Sequence, residues 1–174
     1  MRVIVGVACL VLLSGLAACK ADPQGDGFAD IKYGMTPEQL KPLGFECDAD
    51  EYSCKQDDPA PASARATLFE KPVRLSVQMT EGKVAAINVL LMDYTDDELI
   101  DLYDKAYGSS KVYRARNALA ALVERHIWTA DSGATIVVSK LLDHGAAPAV
   151  PTFGGYGTSA VYRSPLLSAQ SAAQ

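Results

Sequence analysis

Two histidines, His126 and His144, four cysteines at 9, 19, 47 and 54, and an acidic run of Asp48, Asp50, Glu51, Asp57 and Asp58 offer the most chemistry in this sequence. An acyl-transfer triad needs a serine or thiol nucleophile, a histidine and a carboxylate. No serine stands in a Gly-x-Ser-x-Gly setting, and His126 lies beside Arg125 on an apolar-patterned segment. Asp143 and His144 are neighbours, but adjacent strand residues point to opposite faces. Both histidines therefore read as structural or solvated, and the chain as a non-enzyme. A calcium loop starting at Asp48 would need glycine sixth and glutamate twelfth, where this chain has Ser53 and Pro59. The run reads instead as a solvated acidic loop, with no metal or cofactor expected. As a contact surface (Asp48, Asp50, Glu51) it would suit a basic protein and speed encounter electrostatically. Tyr52 within it, and Phe153 and Tyr156 in a later Gly-Pro stretch, fit no core stripe, and aromatics on constrained loops are typical interface anchors.

The elements that must position these residues follow from local pattern. Thr36-Pro37-Glu38-Gln39 is a capping box with proline at the first helical position, and Pro42 and Gly44 hold that helix to two turns at most. Phe45 to Cys54 reads as two short extended pieces. Val73, Leu75, Val77 and Met79 alternate with polar residues, Glu81-Gly82 makes a turn, and Ala85, Ile87, Val89 and Leu91 return on the same face. Ala66 to Glu70 is expected to pair on the other side of this hairpin. Thr95-Asp96-Asp97-Glu98-Leu99 then repeats the earlier helix entry, with Leu99, Leu102, Tyr103 and Ala106 on one face and Gly108 as the stop. Residues 114–130 fit a helical stripe and a strand equally well. A strand over 122–130 is preferred, because Ala134 to Leu142 otherwise lacks a partner. Gly145 to Gly157 is a long loop, and Ala160 to Arg163 a last short strand.

The start of the chain decides where this domain works. Arg2, the apolar run Val3 to Leu13 and the small residues after it form a signal peptide too short to span a bilayer comfortably. Leu16-Ala17-Ala18-Cys19 resembles the lipobox of bacterial lipoproteins, which implies cleavage after residue 18 and acylation of Cys19. Residues 1–18 are then the signal, 19–27 a lipidated tether, 28–163 one domain and 164–174 a disordered tail. Loss of Arg2 leaves 15 cations against 21 anions, a mature charge of −6. That balance excludes nucleic acid as the expected partner and would be repelled by anionic lipid, so attachment falls to the lipid chains. With Cys9 removed and Cys19 acylated, Cys47 and Cys54 remain in an oxidising compartment and read as a disulfide. Two thiols alone are an incomplete ligand set for a metal.

The order of motifs carries a second resemblance. Ile31-Lys32-Tyr33-Gly34-Met35-Thr36, the hairpin Val77 to Leu91, Leu99 to Gly108 and Trp128 with Gly133 to Val138 resemble, in sequence order, small envelope lipoproteins with a β-lactamase-inhibitor-protein-like (BLIP-like) domain. That group includes the small lipoprotein subunit of the outer-membrane β-barrel assembly machine. The resemblance implies an α+β fold of two tandem helix-plus-antiparallel-sheet repeats. It further implies a periplasm-facing, lipid-anchored protein, on the outer membrane (Lys20 rather than Asp follows the cysteine), that binds another envelope protein as scaffold or adaptor. The alternative is an inhibitor or immunity lipoprotein against a secreted basic hydrolase.

Overall fold

The computed structural model describes residues 25–50, 52–57, 65–117, 120–143 and 158–167. In chain order the elements are β1 (Gly27–Phe28), β2 (Ile31–Lys32), α1 (Pro37–Leu40) with a 3-10 turn (Lys41–Leu43), β3 (Phe45–Cys47) and β4 (Ser53–Gln56). There follow β5 (Thr67–Leu68), β6 (Lys71–Pro72), β7 (Arg74–Thr80), β8 (Lys83–Leu91), α2 (Asp96–Tyr107), β9 (Lys111–Arg116), β10 (Leu122–Thr129), β11 (Thr135–Leu141) and β12 (Thr158–Arg163). The fold is α+β and mostly sheet. Eight strands form one antiparallel sheet in the order β3-β4-β7-β8-β12-β11-β10-β9. The chain builds β3, β4, β7 and β8 inward from one edge, crosses through α2, and builds β9 to β12 inward from the other, so β8 and β12 meet at the centre.

Both helices start as their sequences dictate. The Thr95 hydroxyl accepts from the Glu98 amide while the Glu98 carboxylate accepts from the Thr95 amide at 2.9 Å. At α1 the Gln39 side chain accepts from the Thr36 amide, also at 2.9 Å, but Gly44 at φ 75° ends the segment after one α turn and one 3-10 turn. The β7–β8 hairpin closes on Glu81 and Gly82, both at positive φ, the backbone that a two-residue turn between twisted strands requires. A bulge follows: Gln78 pairs with Ala86 but Met79 with Val84. The extra residue, Ala85, gives its carbonyl to the Ser164 amide at 2.9 Å. Ser164 is buried, so the folded domain runs past residue 163, just as β1 begins it within the expected tether at Gly27.

Register divides the sheet into two faces. Across one face run Cys47, Cys54, Val77, Ile87, Tyr162, Ile136 and Trp128, each opposite the next. This face carries the core: Leu40, Leu68, Leu99, Ile100 and Tyr103 from outside the sheet join these residues in one buried cluster. Tyr103, fully buried, is its hub. Its ring lies 5.1 Å from Trp128 and 5.3 Å from Phe69, and its hydroxyl hydrogen-bonds Tyr162 at 2.8 Å. Burial pushes both hydroxyls above the ordinary tyrosine range. Three strands depart from the sequence pattern. Ala66 to Glu70 does not flank the central hairpin: Thr67 and Leu68 pair with Pro72 and Lys71 in a separate ladder. β4 takes that place beside β7, with β3 joined to its far side by the Cys47–Cys54 bridge. β9 has no counterpart among the expected elements, and all six of its residues are exposed.

Candidate protein-binding surfaces

The acidic hairpin sits at the β3–β4 edge. Cys47 and Cys54 face each other across the ladder and are joined by a disulfide. Three hydrogen bonds stiffen the loop they enclose. Asp48 accepts from the Ser53 amide at 3.1 Å and from its hydroxyl at 2.8 Å, and the Tyr52 carbonyl accepts from the Met79 amide at 2.8 Å. The Ser53 side chain is the main reason the Asp48 carboxyl lies below its usual range. Asp48 is thus a loop-closing acceptor as much as a surface charge. Asp50 is exposed, and Tyr52, 72% exposed, projects from the clamped loop. Asp57 is exposed, its amide donating to the Gly44 carbonyl at 2.8 Å. Among the described residues, no group of His, Cys, Asp or Glu is arranged to hold a metal ion. Cys19, Glu51, Asp58, His144, Phe153 and Tyr156 lie outside the described residues.

The second surface is the sheet face opposite the core. One row crosses all eight strands: Glu46, Lys55, Ser76, Asn88, Val161, Val137, Ile127 and Lys111. It is polar over β3, β4, β7 and β8, apolar over β12, β11 and β10, and ends on Lys111. On either side of it lie Arg74 with Leu90, Arg163 with Thr135, Arg125 with Tyr113, and Leu141 with Val123 and Ala115. Glu46 is the only carboxylate among the strand residues of this face, and it sits directly opposite Lys55. The chain carries a formal charge of −5, yet this face is basic. Its acids are concentrated elsewhere, in the hairpin and in α2 at Asp96, Asp97, Glu98, Asp101 and Asp104. Burial and the neighbouring charge of Arg125 lower the Arg163 pKa, in keeping with cations crowding one face.

Where the core face reaches β10 and β9 it turns polar. Ser110 Oγ lies 2.8 Å from His126 Nδ1, His126 Nε2 lies 3.0 Å from Glu124 Oε1, and Arg114 Nε donates to Glu124 Oε2 at 2.5 Å. Hydrogen bonds from His126 and then Arg114 hold the Glu124 carboxyl below its usual range. Trp128 Nε1 donates to the Gly108 carbonyl and to Asp104, and the Ser110 amide donates to Asp104 at 2.9 Å. Serine, histidine and glutamate stand in the connectivity of a hydrolytic triad, a grouping that the sequence pattern does not reveal. Only Glu124 and His126, two apart on one strand, were recognisable as sharing a face; Ser110 and Arg114 come from across the register. The Ser110 amide, a natural oxyanion donor, is already spent on Asp104. The chain of bonds fastens the end of α2 to the sheet.

No helix among the described residues is long and apolar enough to cross a membrane. The chain matches no family model, no curated protein and no solved structure.

Proposed function

We propose that this protein is a lipid-anchored envelope protein, held by an acylated Cys19 and facing the periplasm. Its task is to bind another envelope protein, as a scaffold or adaptor in outer-membrane maintenance, without catalysis. The tandem BLIP-like architecture belongs to the same proposal, and its support is the element order, one helix then four sheet strands, occurring twice.

The observation that carries this reading is the row from Glu46 to Lys111. Seven of its eight residues are exposed or half-buried, Val137 alone being buried, while the core-forming helices and small ladders gather on the other face. Such a surface, apolar on one half and polar on the other, matches the mixed composition of non-obligate protein interfaces. A photo-crosslinking side chain at Asn88 or Ile127, introduced in living cells, should capture a defined partner that the same group at Asp101, exposed on α2, does not. Capture only from Asp101, or none at all, overturns the reading. Cys19→Ala should leave the precursor unprocessed or release the protein from membranes. A Cys19→Ala protein that is still processed and membrane-bound removes the anchor from the proposal.

The second reading, an inhibitor or immunity lipoprotein against a secreted basic hydrolase, is favoured by one feature, the exposed Tyr52 beside Asp50 on a covalently clamped loop. Purified protein should then protect peptidoglycan in a lysis assay, and Tyr52→Ala should abolish the protection.

A further inference from the structure

The binding reading leaves the chemistry of the partner open, and the two edges of the sheet narrow it. A sheet edge presents unpaired amides and carbonyls that can accept another strand. β3, at one edge, has three residues and is tied by the disulfide. β9, at the other, has six, all exposed, and pairs only with β10. Among the described residues, no backbone group is hydrogen-bonded to its outward side. Its sequence, Lys111-Val112-Tyr113-Arg114-Ala115-Arg116, carries three cations and no acid. On the outer face Arg125 stands opposite Tyr113, and Lys111 lies 5.0 Å from the Tyr113 ring centre. Val112 and Tyr113, exposed at 47% and 45%, stand on opposite faces of this edge strand, Val112 beside His126 and Tyr113 beside Arg125.

Cations on an edge strand commonly prevent self-pairing, and two copies of β9 would set like charges against each other. The same charges select an acidic strand. We propose, building on the protein-binding reading, that β9 is a docking edge for an extended acidic segment of another protein, added as a ninth strand with carboxylates meeting the cations around Lys111 and Arg125. Backbone hydrogen bonds supply the geometry, charge supplies the choice of partner, and Val112, on the other face of β9, takes its apolar residues.

The test uses the full chain in detergent and a fluorescent octapeptide alternating glutamate with valine, followed by anisotropy. Binding should weaken at least about tenfold between 0.05 and 0.5 M salt. The Lys111→Glu/Arg125→Glu double variant should lose at least about tenfold in affinity, since like charges then face the peptide. N-methylation of alternate peptide amides should abolish binding with the protein unaltered, which separates strand addition from mere charge attraction. The inference is overturned if a lysine–valine octapeptide binds equally, if N-methylation changes nothing, or if no octapeptide binds. Displacement of the peptide by phosphatidylglycerol vesicles would assign the edge to a membrane, and concentration-dependent dimerisation through β9 would assign it to a second copy. If the peptide fails while crosslinking from Asn88 still captures a partner, only this inference falls. If both fail, the binding reading falls with it.

Discussion

The two halves of the sheet are secured by different means. At the β3–β4 edge the strands are three and four residues long, and the helix above them has only four. So little structure buries little apolar area, and a covalent bridge between Cys47 and Cys54 supplements it. At the β9–β10 edge the strands are six and eight residues long, and the twelve-residue α2 packs on the neighbouring β11 and β12. There Trp128 packs into the core, and the Ser110–His126–Glu124–Arg114 chain closes the margin. One edge is therefore sensitive to redox and the other to pH, and each should respond with the other undisturbed.

The comparison breaks most readily at Trp128. Trp128→Ala removes the ring that Tyr103 packs against and both indole hydrogen bonds, and should cost about 3–5 kcal/mol. Urea unfolding should show it, and a loss under about 1 kcal/mol would mean that packing is not what holds this edge. Cys47→Ser comes next, at roughly 2–3 kcal/mol by the chain-entropy estimate for so short a loop. The loss should appear in oxidising buffer and vanish once the wild-type protein is reduced; equal losses in both buffers would point to packing at Cys47 instead.

Glu124→Gln is smaller, about 1–2 kcal/mol at neutral pH, because it weakens hydrogen bonds to a charged acceptor. Its sharper use is pH. The folded-state pKa of Glu124 lies below its unfolded value, so its contribution is present above about pH 4.3 and is lost as pH falls through the folded-state value. The wild type should shed this stability on acidification and the Gln variant should not, as urea midpoints at pH 7 and pH 3 would reveal. Parallel acid limbs would remove Glu124 as the pH-sensitive group. The smallest contrast is between the caps. Thr95→Ala should cost about 1 kcal/mol, and Thr36→Ala about 0.5 kcal/mol or less, since a four-residue helix has less to lose. Thermal melts of both variants would rank them.

Much of the local structure was legible in the sequence. Alternation from Val73 to Met79 and the Glu81-Gly82 turn marked the β7–β8 hairpin, because a half-buried strand writes its period directly into the chain. Thr95 to Glu98 and Gly108 bounded α2, and the strand preferred for 122–130 is β10. β9 was not legible: an edge strand with every residue exposed has no apolar period to display. Nor was Ser110 beside His126, since that contact depends on how α2 ends against β10, sixteen residues on.

Local pattern sets most of the elements, the helix caps, the pairing of Cys47 with Cys54, and which side of the central hairpin faces inward. These depend on interactions within a few residues or within one hairpin. That β8 meets β12, that one row runs from Glu46 to Lys111, and that five cations share the outer face with the single carboxylate Glu46 emerge only in the packed fold. Those outcomes depend on strand order and register between segments as far apart as β8 and β12, whose paired residues are 67 to 77 positions apart. Local periodicity tells a strand which face to bury; it does not tell it which neighbour to take.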